Sequence, residues 1–388
     1  MLNLVVEGWR FYPQSFSIVN QFQCLELLKR DDVRLYHREM PPQKREDTLS
    51  GREWIPDESA LSPDAAAKLK AIPPPPDDLV PDAVFRIFFP YDFAPAAKGR
   101  TFVFAVTGTG RVPPTMIAGK KPLEETLTSP DVTIITPSAW SRQGVLSGVM
   151  SERQVAVVPH GVDTDIFRPA GEDERRALRR KFGWDDYFIY LYVGGPFWWK
   201  NPELLLKAAA FVANKHAEAR VVLKGTDAVY PSSNMLAELA PRFTPKERSV
   251  LDGRMQYIGG TLSYARLADL YRAADVLVLP YVNEGFCLPA LEAMACGLPV
   301  VCTKGGPTDD FLSDDVALFV KSDIKPPGTF GARITIHADS LATQMLRAIG
   351  DKDFAPRARE MGPVRARDWT WTRAVDKFVE VLSGRGAP

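Results

Sequence analysis

Short apolar runs alternate along the chain with longer stretches whose apolar positions recur at the period of a helix. In the first half the runs Leu2–Val6, Val33–Tyr36, Val84–Phe88, Thr101–Val106 and Val132–Thr136 read as strands. Stretches such as Ser15–Arg30 and Ser138–Val149 read as helices between them. Strands separated by helices cannot pair as hairpins, so the pattern predicts a parallel sheet covered by helices. Residues 41–82 break the rhythm. They are polar and proline-rich, ending in Pro73–Pro76, and predict a long surface excursion rather than core.

A second alternating series begins near residue 187. Its strands are Phe188–Val193, Arg220–Leu223, Met255–Ile258, Val276–Leu279 and Pro299–Cys302; its helices include Pro202–Lys215, Tyr264–Ala273 and Pro289–Ala295. Two such series predict two Rossmann-like, doubly wound α/β domains. Pro169 and Gly171 interrupt the pattern between Arg168 and Glu174, which sets the domains at residues 1–169 and 170–368. The tail, 369–388, opens with a helix over Trp369–Leu382 whose apolar face is Trp371, Val375, Phe378, Val379 and Leu382.

Composition narrows the picture. A chain of 388 residues suits two domains, and 45% hydrophobic with 25% charged residues is the profile of a soluble globular protein. The 48 basic and 48 acidic residues cancel, so no field of one sign points to nucleic acid. Cys24, Cys287, Cys296 and Cys302 show no metal-ligand spacing and suit a reducing compartment. The N-terminal residues have no basic segment followed by an apolar stretch. No run of about 18 apolar residues could span a bilayer. The expected location is cytoplasmic, with any membrane association peripheral, at the inner face.

Residues 275–306, DVLVLPYVNEGFCLPALEAMACGLPVVCTKGG, carry the most chemistry. DVLVLP is a buried strand, NEGFCL a loop after its carboxyl end, and Pro289 suits the first turn of a helix. Gly297 stands where a helix closes in a left-handed residue. The loop therefore brings the N–H groups of Gly285, Phe286, Cys287 and Leu288 to a helix N-terminus. Free donors and the helix dipole favour an anion there, such as a diphosphate. Glu284 and Glu292 frame that place, and carboxylates accept hydrogen bonds from the vicinal hydroxyls of a sugar.

This segment resembles the signature of family 4 of the retaining glycosyltransferases, which have the GT-B fold: two Rossmann-like domains facing across a cleft, with a C-terminal helix crossing back to the first. The family pattern is Glu, seven residues, Glu, around EGFGLPxLEAMAxGxPVV; here Cys287 replaces the usual glycine. YIGGTLSYARLADLYRAADVLVLP, TPSAWSRQGVLSGVMSERQVAVVPHGVDTDIFRP and DWTWTRAVDKFVEVL are similar to flanking parts of the family, and the resemblance covers roughly residues 130–383. It implies that Glu284 lies against the donor sugar, that Glu292 holds the ribose hydroxyls, and that the Gly285–Leu288 amides meet sugar and diphosphate. The implied donor is a nucleotide-diphosphate-sugar, UDP- or GDP-linked, with a hexose-type sugar. The acceptor is a glycan, a lipid-linked group or a protein, and the setting bacterial glycan or glycoconjugate assembly. No cofactor and no metal are expected, because the related chemistry requires none; Asp309 and Asp310 are adjacent and suit a turn.

Three departures matter. In YVGGPFWWKN, Lys200 keeps the place of the family's diphosphate-binding lysine, but Gly195, after Gly194, stands where an arginine is expected. Trp198 and Trp199, or Arg100 or Arg111 from the first domain, are candidates to take its place. The stretch TFVFAVTGTGR lacks the family's cleft histidine, leaving Thr107–Gly110 to line the site with hydroxyl and backbone groups. In EGWRFYPQSFS, Gly8 stands where the family brings backbone to the diphosphate, and Trp9, Arg10, Phe11, Tyr12 and Ser15 are candidate acceptor contacts. His160, in VPHGVD, reads as a packing or hinge residue. Two other readings stay open: a GT-B phosphorylase or disaccharide synthase, and a non-catalytic sugar-nucleotide-binding protein. A dinucleotide-dependent oxidoreductase is a poor reading, because no G-x-G-x-x-G follows a strand with an acid about twenty residues on.

Overall fold

The computed structural model describes residues 1–41, 54–108, 111–146, 151–328 and 331–385. The chain divides into two compact units. One holds residues 1–161, 326–332 and 371–388; the other holds 162–325 and 333–370. The division falls between Gly161 and Val162, eight residues before the break that Pro169 and Gly171 suggest.

The first unit is built on strands β1 Leu2–Gly8, β2 Val33–Glu39, β3 Ala83–Ile87, β4 Arg100–Phe104, β5 Val132–Thr136 and β6 Val155–Val157, in the order β2-β1-β3-β4-β5-β6. Each strand pairs with its neighbours in parallel. Helices on both faces of a parallel sheet bury its inner strands, and β3 is buried throughout, whereas the edge strand β2 alternates buried and exposed positions. Gly8 closes β1 at a tight point. A Cβ there would lie 2.7 Å from Ile87 Cγ2 and 2.8 Å from the Ile87 carbonyl oxygen, so packing alone demands glycine.

The proline-rich stretch differs from the surface excursion that its composition suggests. Residues 42–53 lie outside the described residues, but Pro63–Lys70 forms a helix, and Trp54, Leu69 and Ile72 are buried. Trp54 packs edge-on against Trp9 at 5.4 Å, and the Arg10 guanidinium donates to the Leu69 carbonyl. Trp9 and Tyr12, candidates for an acceptor surface, are buried in this packing. Ser15 begins the helix Ser15–Leu27 and is exposed. The expected helix over Ser138–Val149 is described over Ala139–Leu146, its last residues lying outside the described range.

The tail helix Trp371–Leu382 belongs to the first unit. Trp371 stacks on Phe22 at 5.3 Å and 2°, and Phe378 meets Phe85 at 4.7 Å. His160 is buried between Phe104 and Trp371, at ring distances of 5.6 and 6.1 Å.

The second unit has β7 Phe188–Val193, β8 Ala219–Lys224, β9 Met255–Ile258, β10 Val276–Leu279, β11 Val300–Thr303 and β12 Ala317–Val320. Their order, β12-β11-β10-β7-β8-β9, is that of a dinucleotide-binding sheet, again parallel throughout. The strand order reverses between β7 and β10, so the loops after these two strands open a crevice at the sheet's carboxyl edge. A short two-stranded sheet pairs β13 Ser322–Gly328 with β14 Gly331–Ile336.

Two buried imidazoles make the fold acid-sensitive. Burial holds His160 down to about 3, and burial with the nearby Arg10 charge does the same to His37. Both stay neutral in the native state while the unfolded chain binds protons near pH 6.5. Stability therefore falls as pH drops below that value, by up to about 2 kcal/mol per imidazole at pH 5. Urea denaturation at pH 7 and pH 5 should show this loss, and a His160→Gln variant should show a smaller one. An unchanged slope in the variant would clear His160 of the effect.

Candidate active site

The loop after β7 runs through Gly194 and Gly195 into a 3-10 turn, Trp198–Lys200, and then the helix Pro202–Ala213. Gly194 has φ 142°, a backbone state that side chains rarely adopt, and its N–H donates to the Lys224 carbonyl at 2.9 Å. Asn201 is left-handed at φ 59° and turns the chain into Pro202, whose fixed φ suits a helix start. The loop after β10 contains Val282, whose N–H donates to the Trp199 carbonyl at 2.8 Å. That bond ties the two loops across the switch point. Beside it the Lys200 ammonium donates to the Glu284 carboxylate, with side chains 22% and 15% exposed. Burial opposes the lysine's charge, but the Glu284 charge and hydrogen bond, with Cys287 adding, together hold Lys200 above its ordinary value.

From Glu284 the chain enters the helix Leu288–Ala295. Gly285 N–H donates to Glu284 Oε1 at 3.1 Å. Cys287 occupies the N-cap in the left-handed region at φ 79°, the position where the related pattern has glycine. The Phe286 ring turns away into a cluster with Phe311 at 5.2 Å and Trp369 at 6.4 Å, so this stretch offers backbone rather than side chains. At the other end, Gly297 N–H donates to the Met294 carbonyl at 3.0 Å and Leu298 N–H to the Ala293 carbonyl at 2.9 Å. With Gly297 at φ 70° this is a Schellman closure. The helix is thus fixed at both ends, with its N-terminal amides and dipole at the crevice.

Glu292 lies one turn in and is buried. Its Oε2 accepts a 2.7 Å hydrogen bond from Tyr271, itself packed on Phe167 at 6.0 Å. Burial pushes the carboxyl up to about 7, against the opposing effect of the Tyr271 hydrogen bond. The sequence pattern flags Glu292 but not Tyr271. Tyr271 sits on the helix Tyr264–Ala273 that leads into β10, and only the setting of that helix beside Leu288–Ala295 brings it to Glu292.

The structure identifies the side chain at the missing arginine's place. It is Phe197, not Trp198 or Trp199. A Cβ on Gly195 would lie 2.7 Å from the Phe197 ring. Phe197 stacks on Trp199 at 4.4 Å and meets Tyr230 edge-on at 4.7 Å, while Trp198 is 71% exposed. Tyr192 donates to the Gly195 carbonyl at 2.9 Å and pins the loop from below. Arg100 is engaged within the first unit, where it donates to the Leu382 carbonyl, and Arg111 faces Glu124 at 3.9 Å.

In the first unit Thr107 is buried. Its hydroxyl donates to the Arg111 carbonyl at 2.7 Å, and its carbonyl accepts from Ser141 at 2.9 Å. Thr109 and Gly110 lie outside the described residues. Among the described residues no cluster of His, Cys, Asp or Glu could hold a metal ion, and no helix is long and apolar enough to cross a membrane. Asp309 accepts from Gly305 N–H at 3.1 Å and serves the turn that the sequence suggests.

Comparison with known proteins agrees with this geometry. Residues 174–326 match the family model described as glycosyl transferases group 1. The chain is 28% identical over 287 residues to a D-inositol 3-phosphate glycosyltransferase of Catenulispora acidiphila, covering 72% of this chain and 64% of that protein. It is 32% identical over 259 residues to the protein of that name from Geodermatophilus obscurus, covering 66% and 53%. The chain thus spans roughly half to two thirds of the length of these relatives. Among solved structures it is similar to Anabaena HepE in complex with UDP-glucose, with a TM-score of 0.68, 14% identity, and 99% and 100% of the two chains covered. It is also similar to WaaG, a glycosyltransferase involved in lipopolysaccharide biosynthesis, at 0.65, 13%, 98% and 100%. The fold is that of the GT-B class. Within it, residues 174–326 form a glycosyl transferases group 1 domain.

The buried charge of Glu292 generates a stability prediction. Its folded pKa lies above the ordinary value of 4.5, so ionisation costs stability as pH rises through that window. Glu292→Gln should stabilise the protein at pH 8 by about 1–3 kcal/mol, and much less at pH 4.5. Denaturation midpoints at the two pH values decide this. An equal change at both would remove charge burial as the cause.

Proposed function

We propose that the chain is a retaining glycosyltransferase that moves a hexose-type sugar from a nucleotide-diphosphate-sugar to an acceptor hydroxyl. The observation that carries this reading is the Lys200–Glu284 pair beside the N-terminus of the helix Leu288–Ala295, at the switch point of the second unit's sheet. Diphosphate oxygens would meet the Gly285–Leu288 amides and Lys200, and the ribose hydroxyls would meet Glu292. HepE was solved with UDP-glucose, which supports a UDP-linked donor, with GDP the alternative. The relatives' name supports a small polyol or sugar acceptor. The setting would be cytoplasmic bacterial glycan or glycoconjugate assembly, with no nucleic acid involved.

The mechanism follows from the groups at hand. The acceptor hydroxyl approaches the face of C1 from which the diphosphate leaves, and a leaving phosphate oxygen takes its proton. Positive charge develops at C1 while negative charge grows on the diphosphate. Lys200 and the helix amides stabilise that growing charge, so no metal is required of the proposal. Glu284 keeps Lys200 ionised despite its burial and offers an acceptor to a sugar hydroxyl. Gly195 and Phe197 leave one fixed cation fewer than the related pattern has, which favours a second reading: a protein that binds a sugar nucleotide without transferring it.

A thermal-shift panel of UDP, GDP, ADP and CMP with their sugars tests the donor. A ligand specific to the native state raises the midpoint. One nucleotide should do so in the wild type and fail in Glu292→Ala. Lys200→Ala should lower turnover about 10²–10³-fold, whereas normal turnover would remove Lys200 from the mechanism. Product NMR should show an α-linkage from an α-linked donor; a β-linked product would overturn the retaining course. Donor hydrolysis without acceptor would reject the binding-only reading.

A further inference from the structure

We infer that the first unit carries a binding site for a small organic carboxylate, in a cavity of about 320 Å³ floored by Arg38 and Arg86. The register of the sheet builds that floor. Glu7 of β1 stands opposite Arg38 of β2 on one side and Arg86 of β3 on the other. Neighbours at one rung of a sheet share a face. Phe85 turns to the tail helix, so Val84 and Arg86 on either side of it turn the other way. On that second face the cavity is walled by residues from 75–81 and 96–98, none of them helical.

Ion pairing within the unit accounts for only part of the floor. Glu7 is buried, and both its oxygens are taken: Oε1 by Arg38 Nη1 and Oε2 by Arg86 Nε at 3.0 Å. Arg86, also buried, directs Nη1 to the carbonyls of Asp92, at 3.1 Å, and Ala94, with the Asp92 carboxylate at 3.2 Å. Arg86 Nη2, and Nε and Nη2 of Arg38, make no hydrogen bond to the described residues. Arg86 Nη2 is not sealed from solvent although its residue is buried, which leaves the cavity as its outlet.

What the floor has to spare is therefore N–H donors, and a ligand there must bring acceptors. The two oxygens of a carboxylate match the fork of a guanidinium. The lining carries three basic groups, Arg38, Arg86 and Lys98, against two acidic ones, Glu7 and Asp77. Asp92, behind Arg86, disfavours a second negative charge on the ligand. A monoanion is thereby selected over a phosphate dianion. Val5, Val84, Pro75, Pro76 and Pro81 give apolar wall, so the ligand has an apolar body. The volume lies at the low end of the range for ligand pockets, about 300–1,000 Å³, and sets a small molecule. The lining belongs wholly to the first unit and the proposed donor groups to the second, so the inference does not rest on the transferase reading.

The test is saturation-transfer NMR on the full chain with phenylacetate and its neutral isostere phenylacetamide, both at millimolar concentration. Phenylacetate should receive transfer from the protein. Phenylacetamide, with one oxygen and no charge, should bind about tenfold more weakly. Arg38→Gln, at a side chain 56% exposed, should keep the wild-type thermal midpoint and weaken phenylacetate about tenfold. Ala97→Trp fills the exposed rim with every charge kept, and should abolish the signal. Lys200→Ala should bind as the wild type does. Equal binding of acid and amide would overturn the inference, as would no transfer to phenylacetate or a signal undiminished in either lining variant. So would a signal lost in Lys200→Ala, which would place the carboxylate in the second unit.

Discussion

The pairing of β10 directly against β7 governs the second unit. Val276 faces Tyr190 and Leu277 faces Leu191 in parallel register, although β8 and β9 intervene in sequence. The connections on the two sides of this pair run in opposite directions, so the loops leaving the carboxyl ends of β7 and β10 part and leave a crevice. Both ends of the pair are tied by hydrogen bonds. Asp275 accepts the Ile189 N–H where the strands begin, and Trp199 accepts the Val282 N–H after they end. Lys200 and Glu284, 84 positions apart, meet as a consequence.

The pair also sorts charge along the strands. At the carboxyl edge one ammonium meets one carboxylate, and the remaining attraction for an anion comes from the backbone of a helix start, which carries only partial charge. At the amino edge two guanidiniums meet one carboxylate. Glu292 sits inside the first of these regions with Tyr271 as its hydrogen-bond donor and, among the described residues, no paired cation. A buried carboxylate so placed is costly in the free protein, yet it is well placed to accept hydroxyl donors. The expense of holding it is consistent with a role in ligand binding rather than in stability.

Much of this was legible in the sequence. Phe188–Val193, Val276–Leu279 and Val132–Thr136 read as strands at the bounds the structure gives, because strands covered on both faces are largely apolar; the more exposed edge strand Met255–Ile258 reads at its bounds as well. The glutamate-framed loop was legible because Pro289 and Gly297 punctuate a helix from both sides. Other parts were hidden. The helix Glu172–Phe182 buries only Leu178 and Arg179, so its apolar stripe is too thin to read. The packing of Trp54 against Trp9 is a contact between distant residues that proline content conceals. The bond from Tyr271 to Glu292 depends on how two helices are set side by side, which no local pattern encodes.

The place of the missing arginine shows how far such reading can go. The absence of a cation at Gly195 is visible in the sequence; what stands there instead is not. Gly194 takes a backbone angle open to glycine, Gly195 leaves room at its α-carbon, and Phe197 folds back into that room against Trp199 and Tyr230. An arginine at 195 would collide with that ring before it reached an anion. The substitution is therefore a repacking of the whole loop, not the loss of one side chain. Restoring the cation alone would strain Phe197, and the loop that presents Lys200 is anchored through the same aromatic stack. On the proposed reading, charge neutralisation at this crevice would rest on Lys200 and on the helix amides, with Glu284 as the lysine's paired carboxylate.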